Sequence, residues 1–406
     1  MTVSPPSRRE PWVLLLLAAV QFTHLMDFMI VMPLGPEFMR LFGISAAGFG
    51  VLVSAYTLAS AGMGLLGGLW LDRFDRKRTL LGLYAGFIVA TLLCGAAEGH
   101  GGLLLARTVA GACAGLMSAV LQAIVGDLIP TERRGRAIGT VMAAYGLSAV
   151  AGVPLGLGLA SQWGWRAPFW AIGALSVGVW LGLAVLLPAV DGHLSRGREA
   201  REAAPRAAWV PGLALGWALT FGVVFSGFLL IPYLSPFMVG NLGLRLTDLS
   251  WVYLCGGAAS LLSARTLGRW VDRHGPARVL GTLLVGTMVP FLVFTHLPAA
   301  PTPVVAGVFM LFMGLTSGRV IPTLALVASR VPPALRGRYL AVNMAASDGA
   351  SGLGAWVSGL LIAVTPEGAL VGFDRVGWLA VGITGCALLT LWRFTRRAGA
   401  PSPVPA

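Results

Sequence analysis

The sequence predicts an all-α integral membrane protein with twelve transmembrane helices in two six-helix pseudo-symmetric bundles. Three observations predict it. The chain of 406 residues is 56% hydrophobic and only 11% charged, and its mean hydropathy is +0.81. A soluble globular protein of this length does not carry so much apolar surface. The apolar residues gather in runs of about 20, the length that crosses a hydrocarbon core ~30 Å thick, without the period-two alternation of an outer-membrane barrel. The third observation is an internal repeat. Gly68-Leu-Trp-Leu-Asp72-Arg73 returns as Gly268-Arg-Trp-Val-Asp272-Arg273, and Pro130 with Arg134-Gly135-Arg136 returns as Pro332 with Arg336-Gly337-Arg338, at offsets of 200 and 202.

The spans follow in order at roughly 12–34, 48–71, 79–97, 101–127, 137–161, 168–189, 209–232, 248–270, 277–297, 303–330, 338–364 and 375–394. The first is too long for a signal peptide and lacks a cleavage site, so it is expected to stay. The repeat divides the chain into a six-helix bundle at 1–189, a polar cytoplasmic linker at 190–208 and a second six-helix bundle at 209–406. A parallel repeat of this kind relates the halves by an axis along the membrane normal.

Charge sets the orientation. Of the 29 Lys and Arg residues, 22 fall at the termini and in the loops that follow even-numbered spans. Arg40, Arg166, Arg245 and Arg375 lie on the opposite side, and Arg107, Arg265 and Arg319 within spans. Basic residues gather on the cytoplasmic side, so both termini are expected there. With the basic residues committed to loop edges, the net charge of +13 does not point to nucleic acid. A single Lys among 28 Arg, with abundant Ala and Gly, is the residue usage of a GC-rich bacterial genome, so the expected location is a bacterial inner membrane. Cys94, Cys113, Cys255 and Cys386 all sit in apolar runs at spacings that suggest neither a metal nor a redox pair.

The chemistry is expected where charge enters the apolar runs. Asp27 lies in the first span. A charge at mid-bilayer costs between roughly 2.5 and more than 10 kcal/mol, and such groups usually serve protons, ions or substrate. Asp27 lies about seven residues below the outer end of its span and Arg107 about six below that of span four, so both sit ~10 Å deep at 1.5 Å per residue. Opposite charges at one depth neutralise each other, which predicts an Asp27–Arg107 pair. Asp348 in span eleven and Arg319 in span ten share a depth of ~15 Å from the inner side, which predicts a second contact, with Asn343 one turn away. His24, three residues before Asp27, shares its helix face and has the intrinsic pKa of a proton relay. Gln21 lies on that face as well.

The loop Gly68-x-x-x-Asp72-Arg73-x-x-Arg76-Lys77 resembles the signature loop of the major facilitator superfamily, and the twelve spans and half repeat extend the likeness over essentially the whole chain. Asp27 followed by Pro33 and Pro36 is similar to the first span of the drug:proton antiporters and sugar-efflux proteins within it. The resemblance implies a cytoplasmic latch of Gly68, Asp72, Arg73, Arg76 and Asp127, with Arg76 paired to Asp127 and Asp72 facing the start of span eleven. The sequence departs at Asp75, where the family usually has glycine. Arg107 to Gly111 matches the family's Arg-x-x-x-Gly in span four, with Ala110 where glutamine is usual. Span five, Tyr145-Gly146-x5-Gly152-x-Pro154-x-Gly156-x-Gly158, resembles the exporters' glycine–proline motif at altered spacing. By the same resemblance Tyr145, Phe225, Tyr233, Phe237 and Met313 are candidates for the substrate cavity, and Gln21, on the face of Asp27, and Asn343, one turn from Asp348, join them.

The expected function is proton-coupled secondary export, by antiport and alternating access, of small amphipathic organic compounds or drugs. Sugar or metabolite export, and proton-coupled uptake, remain open on the same scaffold. The expected partners are a small-molecule substrate, protons and membrane lipid; no cofactor beyond the proton gradient and no metal is expected, and the chain is expected to act as a monomer. No paired catalytic motif occurs in the spans, so an enzyme is not expected.

Overall fold

A computed structural model describes residues 10–191, 213–332 and 335–396; the side chains of 68–70, 72, 131 and 132 fall outside that description. So does the expected linker, apart from its first two residues. The described chain is helical almost throughout. In order the helices are α1 (Glu10–Ile30), α2 (Gly35–Phe42), α3 (Ala46–Trp70), α4 (Arg76–Ala96), α5 (His100–Leu128), α6 (Thr131–Leu147), α7 (Val153–Trp163) and α8 (Ala167–Leu186). After the linker come α9 (Leu213–Phe228), α10 (Leu234–Gly240), α11 (Leu246–His274), α12 (Pro276–Thr295), α13 (Thr302–Gly318), α14 (Val320–Ser329), α15 (Arg336–Leu361) and α16 (Phe373–Arg396).

Among the described residues ten helices are long and apolar enough to cross a membrane. The other two expected spans are α11 and α15, of 29 and 26 residues. Their length suffices at 1.5 Å per residue, but Arg265, Arg269 and Asp348 dilute their apolar character. Large apolar side chains face outward along the helices: Val185 is 78% exposed, Trp163 69% and Trp251 68%. In water such a surface would aggregate; in a bilayer it is the solvent-matched face.

Proline and glycine explain where spans break. α1 stops at Ile30, just before Pro33, because a proline disfavours helical geometry in the residue ahead of it and cannot donate to the turn behind. The chain resumes as α2 with Pro36 in its first turn, and Gly43 ends it at φ 59°. The second half repeats the device. α9 ends at Phe228, Pro232 sits in a short 3₁₀ turn, and Pro236 stands in the first turn of α10. Span five bends at a π-helical turn, Ser148–Gly152, immediately ahead of Pro154. The proline lacks the N–H that an α-helical turn would use, and the wider turn absorbs the mismatch. After the π turn, a Cβ on Gly156 would fall 2.6 Å from Ile30 Cδ1, so α1 and α7 approach closely beside Asp27. Span eleven ends at Leu361, earlier than expected; a two-stranded hairpin follows, with Ala363 opposite Val371 and Val364 opposite Leu370.

Two compact units emerge from packing. One comprises 1–31 with 58–205, the other 32–57 with 206–406. The first half of α3 thus belongs with the second unit, although it precedes the linker in sequence. In the first unit α4 packs along α5 and α8, and α1 along α6 and α8. The second half of α3 meets α5 so closely that a Cβ on Gly115 would stand 2.2 Å from the Ser60 carbonyl oxygen. In the second unit α11 packs along α13, α9 along α15 and α16, and α12 along α16. Its interior holds Phe291, Phe294, Phe309 and Phe312, all fully buried. There Tyr233 donates its hydroxyl to the carbonyl of Ala46 at 2.8 Å, and Ser235 donates to that of Pro33 at 2.7 Å.

Because backbone and not a flexible side chain opposes Gly115, Gly115→Val is expected to destabilise the protein by about 1–3 kcal/mol or more. Thermal unfolding in detergent checks this; a wild-type midpoint would contradict the packing.

Candidate functional site

In the first unit the buried charges meet. Arg107 on α5 donates from Nη1 to Asp27 Oδ2 at 2.5 Å and to the Asp27 carbonyl oxygen at 3.0 Å. Both residues are 0% exposed. The geometry follows from the break in α1. Asp27 is close to the helix end, so its carbonyl is one of the last four without an intrahelical donor. The guanidinium therefore neutralises the carboxylate and caps the negative end of the helix at once.

The other carboxylate oxygen, Oδ1, is buried without a hydrogen bond. Thr91 on α4 stands beside the carboxyl group, its hydroxyl buried and turned toward it. An ionised carboxylate and a hydroxyl that faces it can share one hydrogen bond. A protonated carboxyl can instead donate to the hydroxyl oxygen. One turn before Asp27, Thr23 shares a 2.8 Å hydrogen bond with Tyr84, also on α4. Sequence reasoning missed Thr91 and Tyr84. Their signal is a polar pair seven residues apart in an otherwise apolar span, hence on one face. His24 and Gln21 are both buried on α1, within two turns of the carboxylate.

In the second unit, no ion pair between Arg319 and Asp348 forms among the described residues. Arg319, at the break between α13 and α14, is 1% exposed. Its Nη1 donates to Ser226 Oγ at 3.1 Å and its Nε to the Thr316 carbonyl at 3.4 Å, while the guanidinium lies 5.2 Å from the Phe291 ring centre. Asp348 is half-buried elsewhere on α15. Equal depth did not bring the two together because a helix has an azimuth as well as a depth. Asn343 faces α9, where Thr220 donates to its Oδ1 at 2.8 Å. Asp348, five residues on, is turned about 140° away at 100° per residue.

The loop after span two is built as a cluster. Arg76 Nε lies 2.7 Å from Asp127 Oδ2, and Lys77 donates to the Ala184 carbonyl at 2.9 Å. Near the same edge, Arg133 pairs with Glu10 at 3.2 Å, which ties α6 to the start of α1. Arg73 is exposed. The side chain of Asp72, and with it the expected approach to span eleven, lies outside the described residues, as does position 68 beyond its helical backbone. Asp75 takes the N-cap position of α4 and accepts from the Arg78 amide at 2.7 Å. Its φ of −59° demands no glycine, so the departure at this position supplies a cap. Asp75→Ala is expected to cost about 1 kcal/mol; a thermal midpoint equal to wild type would contradict it.

The expected cavity residues separate. Phe225 lines an apolar cavity of about 560 Å³ with Trp217, Phe221, Ala346 and Ile383. Tyr233 is fully enclosed and hydrogen-bonded, and Phe237 is packed between Phe294 and Phe373. Both belong to the interior of the second unit, because the Pro232 and Pro236 breaks turn them inward. Asn343 serves the contact with α9, Met313 is half-buried and Tyr145 is 39% exposed.

Comparison with known proteins bears on the whole chain. Over 362 residues it is 26% identical to a protein of Bacillus subtilis named as an uncharacterized MFS-type transporter, YceJ, covering 88% of this chain and 91% of that one. In fold it is similar to a bacterial homologue of the human lysosomal transporter Spinster, with TM-score 0.77, 18% identity and coverage of 98% and 100%. It is also similar to a D-xylose–proton symporter, with TM-score 0.76, 16% identity and coverage of 94% and 97%. The family model of the Major Facilitator Superfamily matches residues 17–221 and again 216–406, one match for each half of the repeat. This multi-pass membrane chain, with its twelve-helix fold, therefore belongs to the major facilitator superfamily.

Proposed function

We propose that this transporter exports small amphipathic organic compounds in exchange for protons, by alternating access, with Asp27 as the proton-carrying group and Arg107 as its counter-charge. As a member of its superfamily it moves a small-molecule substrate and is not an enzyme. The observation that supports the proton role is the buried pair itself, together with the unbonded Oδ1 beside Thr91. Desolvation favours the neutral form of a carboxyl group, and a nearby guanidinium favours the ionised form. Movement of α1 against α5 changes that balance, so one carboxyl group can load a proton in one state and release it in the other. Proton loading of this group and substrate binding alternate between the two states, and exchange follows without a covalent step.

His24 is assigned a secondary relay role. The Arg76–Asp127 cluster, with Gly68, Asp72 and Arg73, is assigned to the cytoplasmic latch. The skewed arginine distribution supports a bacterial inner membrane with both termini cytoplasmic, and the protein is taken to act as a monomer. Proton-coupled uptake of a neutral solute is the second reading, and the structural neighbour named as a D-xylose–proton symporter favours it.

Proton release from detergent-solubilised protein on addition of candidate compounds tests the coupling, with wild type set against Asp27→Asn. Solute flux in proteoliposomes under an imposed pH gradient decides direction. Movement only along with protons would replace export by uptake.

A further inference from the structure

We propose that Arg319 is a binding site for an anionic group, a carboxylate in the first instance, on the transported compound. The two halves place an arginine in corresponding surroundings but neutralise it differently. In the first unit Arg107 reaches α1 at Asp27, beside Thr91 of α4. In the second, Arg319 reaches α9 at Ser226 and Gly227, and lies over Phe291 of α12. Positions 27 and 227 stand 200 apart, as do 91 and 291, and 36 and 236, which is the offset of the loop repeat. The arginine itself comes from a different level of its helix. Where the first half has its carboxylate, the second has glycine.

The glycine is not incidental. A Cβ at position 227 would lie 2.9 Å from Arg319 Nη2 and 3.2 Å from Thr316 Cγ2. The site thus accommodates a guanidinium and, among the described residues, supplies it neutral acceptors, Ser226 Oγ and the Thr316 carbonyl. The Thr316 hydroxyl beside it is buried without a hydrogen bond. A buried guanidinium without a counter-ion is expensive. An arriving carboxylate would give it the charge-assisted partner that Asp27 gives Arg107, and the Thr316 hydroxyl could add a donor. The helix is breakable at this point. Pro322 cannot donate to the Gly318 carbonyl, and the chain turns at Arg319 between α13 and α14. The ring of Phe291 beside the guanidinium suits an acid with an apolar body.

This inference rests on the transporter reading for its purpose, but its test needs no proton gradient. The full chain in detergent is unfolded thermally with benzoate, hippurate or octanoate, each against its amide at one pH and ionic strength. At least one acid is expected to raise the midpoint saturably while its amide does not. Arg319→Gln should weaken that affinity about tenfold or more, and Arg319→Lys should retain part of it. Ser226→Asp places an internal carboxylate at a position already 3.1 Å from Nη1. It should abolish the response without lowering the ligand-free midpoint, which keeps the test valid if Arg319→Gln folds poorly. No response to any acid in wild type, or an equal response in Ser226→Asp, overturns the proposal. Failure of Asp27→Asn to block proton exchange would be a separate result.

Discussion

Asp27→Asn is expected to abolish proton release on substrate addition and uphill export, while the protein still folds. Asparagine has nearly the same shape and offers Arg107 a carbonyl oxygen in place of Oδ2, and the bond to the backbone carbonyl at 3.0 Å does not depend on the side chain. What it cannot do is take up and lose a proton. Removing the negative charge leaves Arg107 with neutral acceptors, a loss of about 1–3 kcal/mol. Downhill movement of substrate should persist, because a permanently neutral side chain resembles the protonated state. Full-speed uphill transport by the asparagine variant would remove Asp27 from the coupling mechanism and leave the ion pair a purely structural clamp.

Arg107→Gln has the larger structural consequence. It leaves the Asp27 carboxyl group at 0% exposure without its counter-charge and removes the cap from the last turn of α1. Breaking a buried pair from one side costs about 3–5 kcal/mol. The protein is expected to unfold at a markedly lower temperature in detergent at neutral pH. The double variant Asp27→Asn with Arg107→Gln should recover most of that loss, because neither charge is then uncompensated, and the two changes should be strongly non-additive. It should nevertheless remain unable to couple. Independent, additive effects on the unfolding midpoint would show that the two side chains do not depend on each other. Recovered coupling in the double variant would show that the proton travels elsewhere.

Much of the first half's site is legible in the amino-acid sequence. Asp27 and Arg107 lie near the outer ends of their spans, so an error of three residues in a boundary moves both by only ~5 Å, and few other charges compete at that level. The same argument misleads for Arg319 and Asp348. Depth is one coordinate, and the other, azimuth, is decided by which face of α15 meets α9 through Asn343 and Thr220. Thr91 escapes notice because a hydroxyl in a span usually bonds to its own helix. Only the fold shows that this one stands beside the carboxyl group of another. Tyr233 reads as a cavity aromatic, yet the proline breaks of span seven turn its hydroxyl to the carbonyl of Ala46.

By itself the sequence determined the membrane class, the order of the spans, the half repeat and the residues whose charge must be compensated in apolar surroundings. A bilayer imposes one axis on every helix, and hydropathy, length and the arginine bias all report position along it. Tertiary structure alone decided which charges meet, that 32–57 pack with the second unit, that span five bends through a π turn, and that Arg319 faces a glycine where Arg107 faces an aspartate. These depend on rotation about the helix axis and on contacts between residues far apart in the chain. Close packing of small residues such as Gly115 and Gly156 settles them, and no one-dimensional pattern records it.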